Sequence, residues 1–190
     1  MASEVGICNA ALAKLGLRSI LAFTDDRTEA RLATQTYEDI RDDVLRDHPW
    51  NFATFRAELA AEVTAPAFAY ARAFNLPDTP TYCLRVLEVV NPSSWPWKVE
   101  GRQILTDLGS PLQITFISRI TNCDQMDALF RDALAARLAM EWAEKLTRTT
   151  TIQEAMAALY AKKLAEARSI DGQEGTREEI SESSWISARW

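Results

Sequence analysis

With 190 residues, 47% of them hydrophobic and 25% charged, the chain can build a core without metal or disulfide support. Its formal net charge of −6 argues against a primary nucleic-acid binder, because duplex affinity rests on clustered Lys and Arg neutralising phosphates. Cys8, Cys83 and Cys123 are far apart, with neither CxxC nor zinc spacing, and predict buried thiols in a reducing cytosol. The N-terminal residues lack the basic start and apolar run of a signal peptide, and no stretch approaches membrane length. A soluble chain with no membrane partner is therefore expected.

In chain order, the first helix is predicted over about 3–15, with Ile7, Ala11 and Leu15 on one face and Gly16 as its stop. Asp26-Arg27-Thr28-Glu29 has the form of a capping box and opens a second helix over about 27–47. Ala30, Ala33, Tyr37, Ile40 and Val44 recur at steps of three and four, which makes one apolar stripe. Glu38, Asp39, Asp42, Asp43 and Asp47 form an acidic outer face broken by Arg41 and Arg46. Pro49 disfavours helical geometry at His48 yet suits a new first turn, so a third helix is predicted over about 49–62. Its Trp50, Phe52 and Phe55 would fold back on the first stripe.

Pro66, Pro77 and Pro80 mark the stretch 64–81 as mostly loop. A β insertion follows over about 82–120 in three runs, 82–90, 97–106 and 112–120, with Glu100-Gly101-Arg102 as a hairpin tip. Two long helices return at about 125–146 and 151–171. The first carries Phe130, Leu134, Leu138 and Trp142 on one line, and Leu129, Ala133, Ala136, Met140 and Ala143 on another, which places it centrally. The second opens with the box Thr151-Ile152-Gln153-Glu154. The expected fold is α+β and mostly α: one domain over 1–172, a bundle of about five helices interrupted by a small antiparallel three-stranded sheet. From Asp171 onward Gly, Ser, Thr and Glu dominate, yet the stretch closes with Trp185, Ile186, Arg189 and Trp190. Residues 173–190 read as an extended segment whose tryptophans either dock back on the bundle or anchor in a partner, and the partner reading is preferred.

The search for chemistry yields no catalytic, cofactor or metal signal. His48 is the single histidine, and its place before Pro49 fits capping or packing better than general-base work. Asp39, Asp43 and Asp47 share a helical row that reads as a solvated face rather than a cation site. The glycines fit no phosphate-cradling pattern. Trp95-Pro96-Trp97 is either a small local core or a contact surface.

One phrase concentrates the pattern: Tyr37-x3-Arg41-Asp42-x-Val44-Leu45-Arg46-x2-Pro49-Trp50-Asn51-Phe52-Ala53. It is preceded by Asn9-Ala10-Ala11-Leu12-x-Lys14-Leu15-Gly16. Phe68-x-Tyr70-x3-Phe74-x-Leu76-Pro77, Cys83-Leu84-Arg85-Val86 and Trp97-x-Val99-Glu100-Gly101-Arg102 follow it. Phe130-x3-Leu134-x3-Leu138-Ala139 and Tyr160-x3-Leu164-x2-Ala167 complete the series. In this order the motifs resemble the tail tubular protein A family of short-tailed bacteriophages and related head-to-tail adaptors. Asp78-Thr79-Pro80-Thr81-Tyr82 departs from the family pattern, which runs almost directly from Leu-Pro into Cys-Leu-Arg-Val.

The resemblance implies a structural virion protein at the head–tail interface, made in the host cytoplasm. It implies a ring, usually of twelve copies, bound to the portal protein, extending the DNA channel and offering a platform to the tail tube or nozzle protein. Genomic DNA would pass without sequence-specific binding. Trp185, Ile186, Arg189 and Trp190 would embrace the portal. Trp95, Trp97, Gly101 and Arg102 would meet neighbouring subunits or the tail, and Arg41 and Arg46 would face the acidic row of an adjacent copy. Two other readings are a tail-associated peptidoglycan hydrolase, requiring a buried carboxylate of raised pKa in a cleft, and a DNA-binding assembly factor.

Overall fold

In a computed structural model, which describes residues 2–91 and 94–174, the chain forms four α-helices and six strands, an α+β fold. Helix α1 (Glu4–Lys14) is capped by Ser3, whose hydroxyl accepts from the Gly6 amide at 3.0 Å. It ends as expected at Gly16, in left-handed geometry (φ 71°). There the amides of Gly16 and Leu17 return to the carbonyls of Ala13 and Leu12. Asn9 then holds the outgoing chain, its side chain exchanging bonds of 2.8 and 2.9 Å with the amide and carbonyl of Ile20.

Helix α2 (Thr28–Asp47) buries the stripe Ala30, Ala33, Tyr37, Ile40 and Val44. The expected capping box does not form. Arg27 takes the cap position without a side-chain cap bond, and Asp26 is left in solvent. Helix α3 (Ala128–Thr147) starts three residues after the expected Gln125, because Asp127 accepts from the amides of Leu129 and Phe130. Phe130, Leu134, Leu138 and Trp142 are fully buried, so α3 is the central helix. Arg148 in left-handed geometry and Thr149 turn the chain into α4 (Thr150–Asp171), again without the predicted box bond. Of α4 only Ala167 is fully buried; it is the outer helix.

The third helix expected over 49–62 does not exist. His48 is extended, Asn51–Ala53 make a single 3-10 turn, and Thr54–Leu59 is strand β1. The stretch 64–81 is mostly loop as expected, interrupted by Arg72–Asn75, which is strand β2 with Ala73 and Phe74 buried. The remaining strands are β3 (Cys83–Val89), β4 (Trp97–Glu100), β5 (Gln103–Thr106) and β6 (Leu112–Ser118). They build two three-stranded antiparallel sheets, β1-β6-β3 and β2-β5-β4, in place of one. The cause lies in β6: Leu112, Ile114, Phe116 and Ile117 make a strongly β-forming centre that takes a partner on each edge. That pairing overrides the helical leaning of Ala57-Glu58-Leu59.

The layers follow from which way each strand residue points. Leu112, Ile114 and Phe116 pack with Phe74 and Ile104 of the second sheet, whereas Ile117 joins the helical core with Leu84 and Leu87. The first sheet therefore lies between helices and second sheet, with a core on each face. Gly101 (φ 52°) and Arg102 (φ 63°) form the predicted hairpin tip between β4 and β5.

At the corner after α2, Trp50 does fold back. Its indole N–H donates to the Val44 carbonyl at 3.0 Å, and its ring meets Phe130 edge-on at 5.1 Å. Phe52 completes the cluster, 5.0 Å from Phe130. Trp50→Ala should lower stability by about 3–5 kcal/mol through cavity formation and the unpaired carbonyl. Urea unfolding followed by circular dichroism would measure it, with exposed Phe55→Ala as the smaller-effect control.

Candidate functional site

The charged residues of the Tyr37–Ala53 phrase and its later echoes meet one another in space. Arg41 is buried, only 2% exposed, and its guanidinium donates to Asp42 Oδ1 at 2.9 and 3.0 Å through Nη2 and Nε. Glu4, in the first turn of α1, lies 3.8 Å from the same guanidinium. The other oxygen of Asp42 accepts from Arg119 Nε at 2.6 Å. Arg119 Cζ in turn sits 4.1 Å from the Tyr82 ring centroid, and Arg102 Cζ sits 4.0 Å from it. Two guanidiniums that close must take opposite faces of the ring. Arg102 also donates to the carbonyls of Cys83 and Pro77. A continuous strut thus runs from α1 through α2 to the β4–β5 tip.

Beside it, Arg46 donates to the Leu84 carbonyl at 2.8 Å while Arg85 donates to the Arg46 carbonyl at 3.2 Å, a reciprocal clasp of α2 on β3. His48 lies against Trp50 at 4.6 Å and 3.1 Å from Asp171, whose carboxylate also accepts from the Asn51 amide at 2.9 Å. The end of α4 is therefore pinned to the corner. Asp171 was missed in the sequence because its partners lie about 120 residues away; no local signal marks it.

Asp42 does not belong to the outer acidic face, having turned inward to two arginines, and buried Arg41 offers no surface to an adjacent copy. Asp47 pairs with Arg168 at 2.6 Å. Among the described residues no group of three or more His, Cys, Asp or Glu side chains converges. Burial pushes the Cys8 thiol up to about 12, with Glu4 and Cys123 adding to it, which leaves a neutral, unreactive group. Cys83 is likewise raised by burial, which outweighs Arg102, and Cys123 by burial against the Tyr37 hydroxyl 3.7 Å away. Burial works to raise Asp132 too, but the ammonium groups of Lys14 and Lys163, at 2.7 and 3.0 Å, outweigh it and hold the carboxyl low. That triad ties α1, α3 and α4 together.

A group of apolar side chains faces outward around β4. Every residue of β4 is exposed, and Trp95 (47%), Trp97 (37%), Val99 (42%) and Phe68 (83%) stand on or near this edge strand. Of the two readings of Trp95-Pro96-Trp97, local core and contact surface, the exposure speaks against the local core. Gly101 is also exposed, but the Arg102 guanidinium is engaged within the chain. Trp185, Ile186, Arg189 and Trp190 lie outside the described residues. Comparison with protein-family models and with curated proteins finds no match to this chain.

Asp42→Ala would leave Arg41 buried without the carboxylate oxygen that accepts from its Nε and Nη2, and should destabilise the protein by about 3–5 kcal/mol. Asp43→Ala, one position on and exposed, should stay within about 0.5 kcal/mol in the same chemical denaturation series. Because the folded Cys8 pKa is raised, its contribution is intact below about pH 9 and is lost as pH rises toward about 12. Stability should fall there by up to about 1.4 kcal/mol per pH unit from this group, a slope that Cys8→Ala removes.

Proposed function

We propose that the chain is a structural head-to-tail adaptor of a tailed bacteriophage, assembling as a ring on the portal and presenting a platform to the tail. The observation that carries the reading is where the motif residues spend their bonds. Arg41, Asp42, Arg46, Arg85 and Arg102 fix one layer of the molecule to the next, while the aromatic side chains around β4 face outward. A rigid body with an apolar rim suits assembly, where association draws on aromatic anchors surrounded by polar contacts. The ordered motif series over roughly residues 5–170 supports the same family.

In this reading the exposed β4 region, Trp95 and Trp97 foremost, meets a neighbouring subunit or the tail. The closing segment with Trp185, Ile186, Arg189 and Trp190 holds the portal. A buried Trp covers roughly 150–250 Å², and modest holds repeated round a ring combine strongly. The remaining outer acids of α2, Asp39 and Asp43 among them, would repel passing DNA rather than bind it. No catalysis is assigned.

Native mass measurement of the purified chain mixed with its phage's portal ring tests this. Multiple copies should load per portal, and Trp185→Ser with Trp190→Ser should lower occupancy several-fold without changing the circular dichroism spectrum. Loading by neither protein would overturn the adaptor reading, and a peptidoglycan-clearing assay would then be decisive for the hydrolase.

A further inference from the structure

In this acidic chain Arg46, Arg85 and Arg102 share one groove, and their hydrogen bonds among the described residues go to carbonyls rather than carboxylates. Arg46 and Arg85 line both halves of it. The first half, about 520 Å³, runs past Asp43, Asp47, Arg137 and Tyr160. The second half, about 500 Å³, is lined by Leu76, Val86, Trp97, Val99 and Arg102. One end is thus acidic, the middle cationic and the far end apolar.

We propose that this groove is the docking site of the chain's own residues 176–190, laid into it in cis. Two features of the page select that occupant. The first is position: α4 ends at Asp171, pinned to His48 and Asn51, and Arg168 one turn earlier pairs with Asp47, which lines the groove's acidic end. The segment therefore starts beside the groove. Extended chain reaches about 3.3 Å per residue, so the eight residues from Gly175 to Glu182 can span up to about 26 Å.

The second is order. In sequence Arg177 comes first and Glu178, Glu179 and Glu182 follow, acids that would answer Arg46 and Arg85 of the groove. Trp185 and Ile186 come after the acids and would meet the apolar end at Val86, Trp97 and Val99. The segment's acids precede its tryptophan as the groove's arginines precede its apolar end, and charge-assisted bonds to Arg would fix the register. The groove is independent of the adaptor reading; where that reading holds, it stows the segment until the portal displaces it.

The test is paramagnetic relaxation in the full chain. Ser184→Cys carries a nitroxide, while Cys8, Cys83 and Cys123 are buried and stay unlabelled. Amide signals of Arg85, Val86, Trp97 and Val99 should be lost, and those of Ala10 and Lys14 on α1 retained. Glu178→Lys, Glu179→Lys and Glu182→Lys together should restore the lost signals, as should high salt. Retention of the groove signals in the labelled chain, or loss that survives the triple charge reversal, would overturn the proposal. So would loss that appears only when an isotope-labelled chain is mixed with a separately spin-labelled one, which would assign the groove to a second copy. No readout involves the portal, so failure here leaves the adaptor reading standing.

Discussion

The Asp42 carboxylate is the interaction on which the architecture turns. It lies on α2, yet its two oxygens are divided between Arg41 of the same helix and Arg119, just beyond β6. Through Arg119 and the Tyr82 ring it reaches Arg102 and the second sheet. A buried ion pair of this kind gives little net stability compared with apolar packing, because desolvation offsets the Coulomb gain. Its effect is on specificity: any other seating of the sheets on the helices separates Arg119 from Asp42 and breaks the charge pair that joins the two layers. Each stacked guanidinium adds about 0.5–2 kcal/mol for one orientation of Tyr82.

The apolar cores alone would not set that seating. The first sheet has a core on each face, and oily surfaces tolerate sliding as long as volume is filled. Directional contacts remove the freedom. The Arg46–Leu84 and Arg85–Arg46 clasp sets α2 along β3, and the Asp132 pair sets α1 and α4 on α3. Asp171 closes the frame where the corner after α2 meets the last helix.

How much of this could be read in advance depended on range. The stripe of α2, the centrality of α3, the Gly16 stop and the Gly101 tip are local patterns, and all four stand in the structure. The helix expected over 49–62 failed because Pro49 and the Ala-Glu-Leu run carry a local preference, while strand β1 is made by the distant demand of β6 for a second partner. Both predicted capping boxes failed for a related reason. Asp26 and Thr151 had the right spacing, but neighbouring residues took the cap positions. At the level of the site, the motif residues were identifiable as a set, but their partners Arg119, Tyr82 and Asp171 were not, being far along the chain from the groups they hold.

That division bears on what kind of protein this is. Charged groups in a working active site are left under-satisfied so that a substrate can complete them, and their pKa values are set apart for the task. Here Arg41 and Asp42 are completed by their own chain, and the thiols whose pKa burial raises are made inert by that burial. Among the described residues, exposed aromatic and aliphatic side chains around β4 and guanidiniums bonded to carbonyls in the groove beneath remain open to a partner. The strut that spends its charges inward ties the layers together beneath this surface.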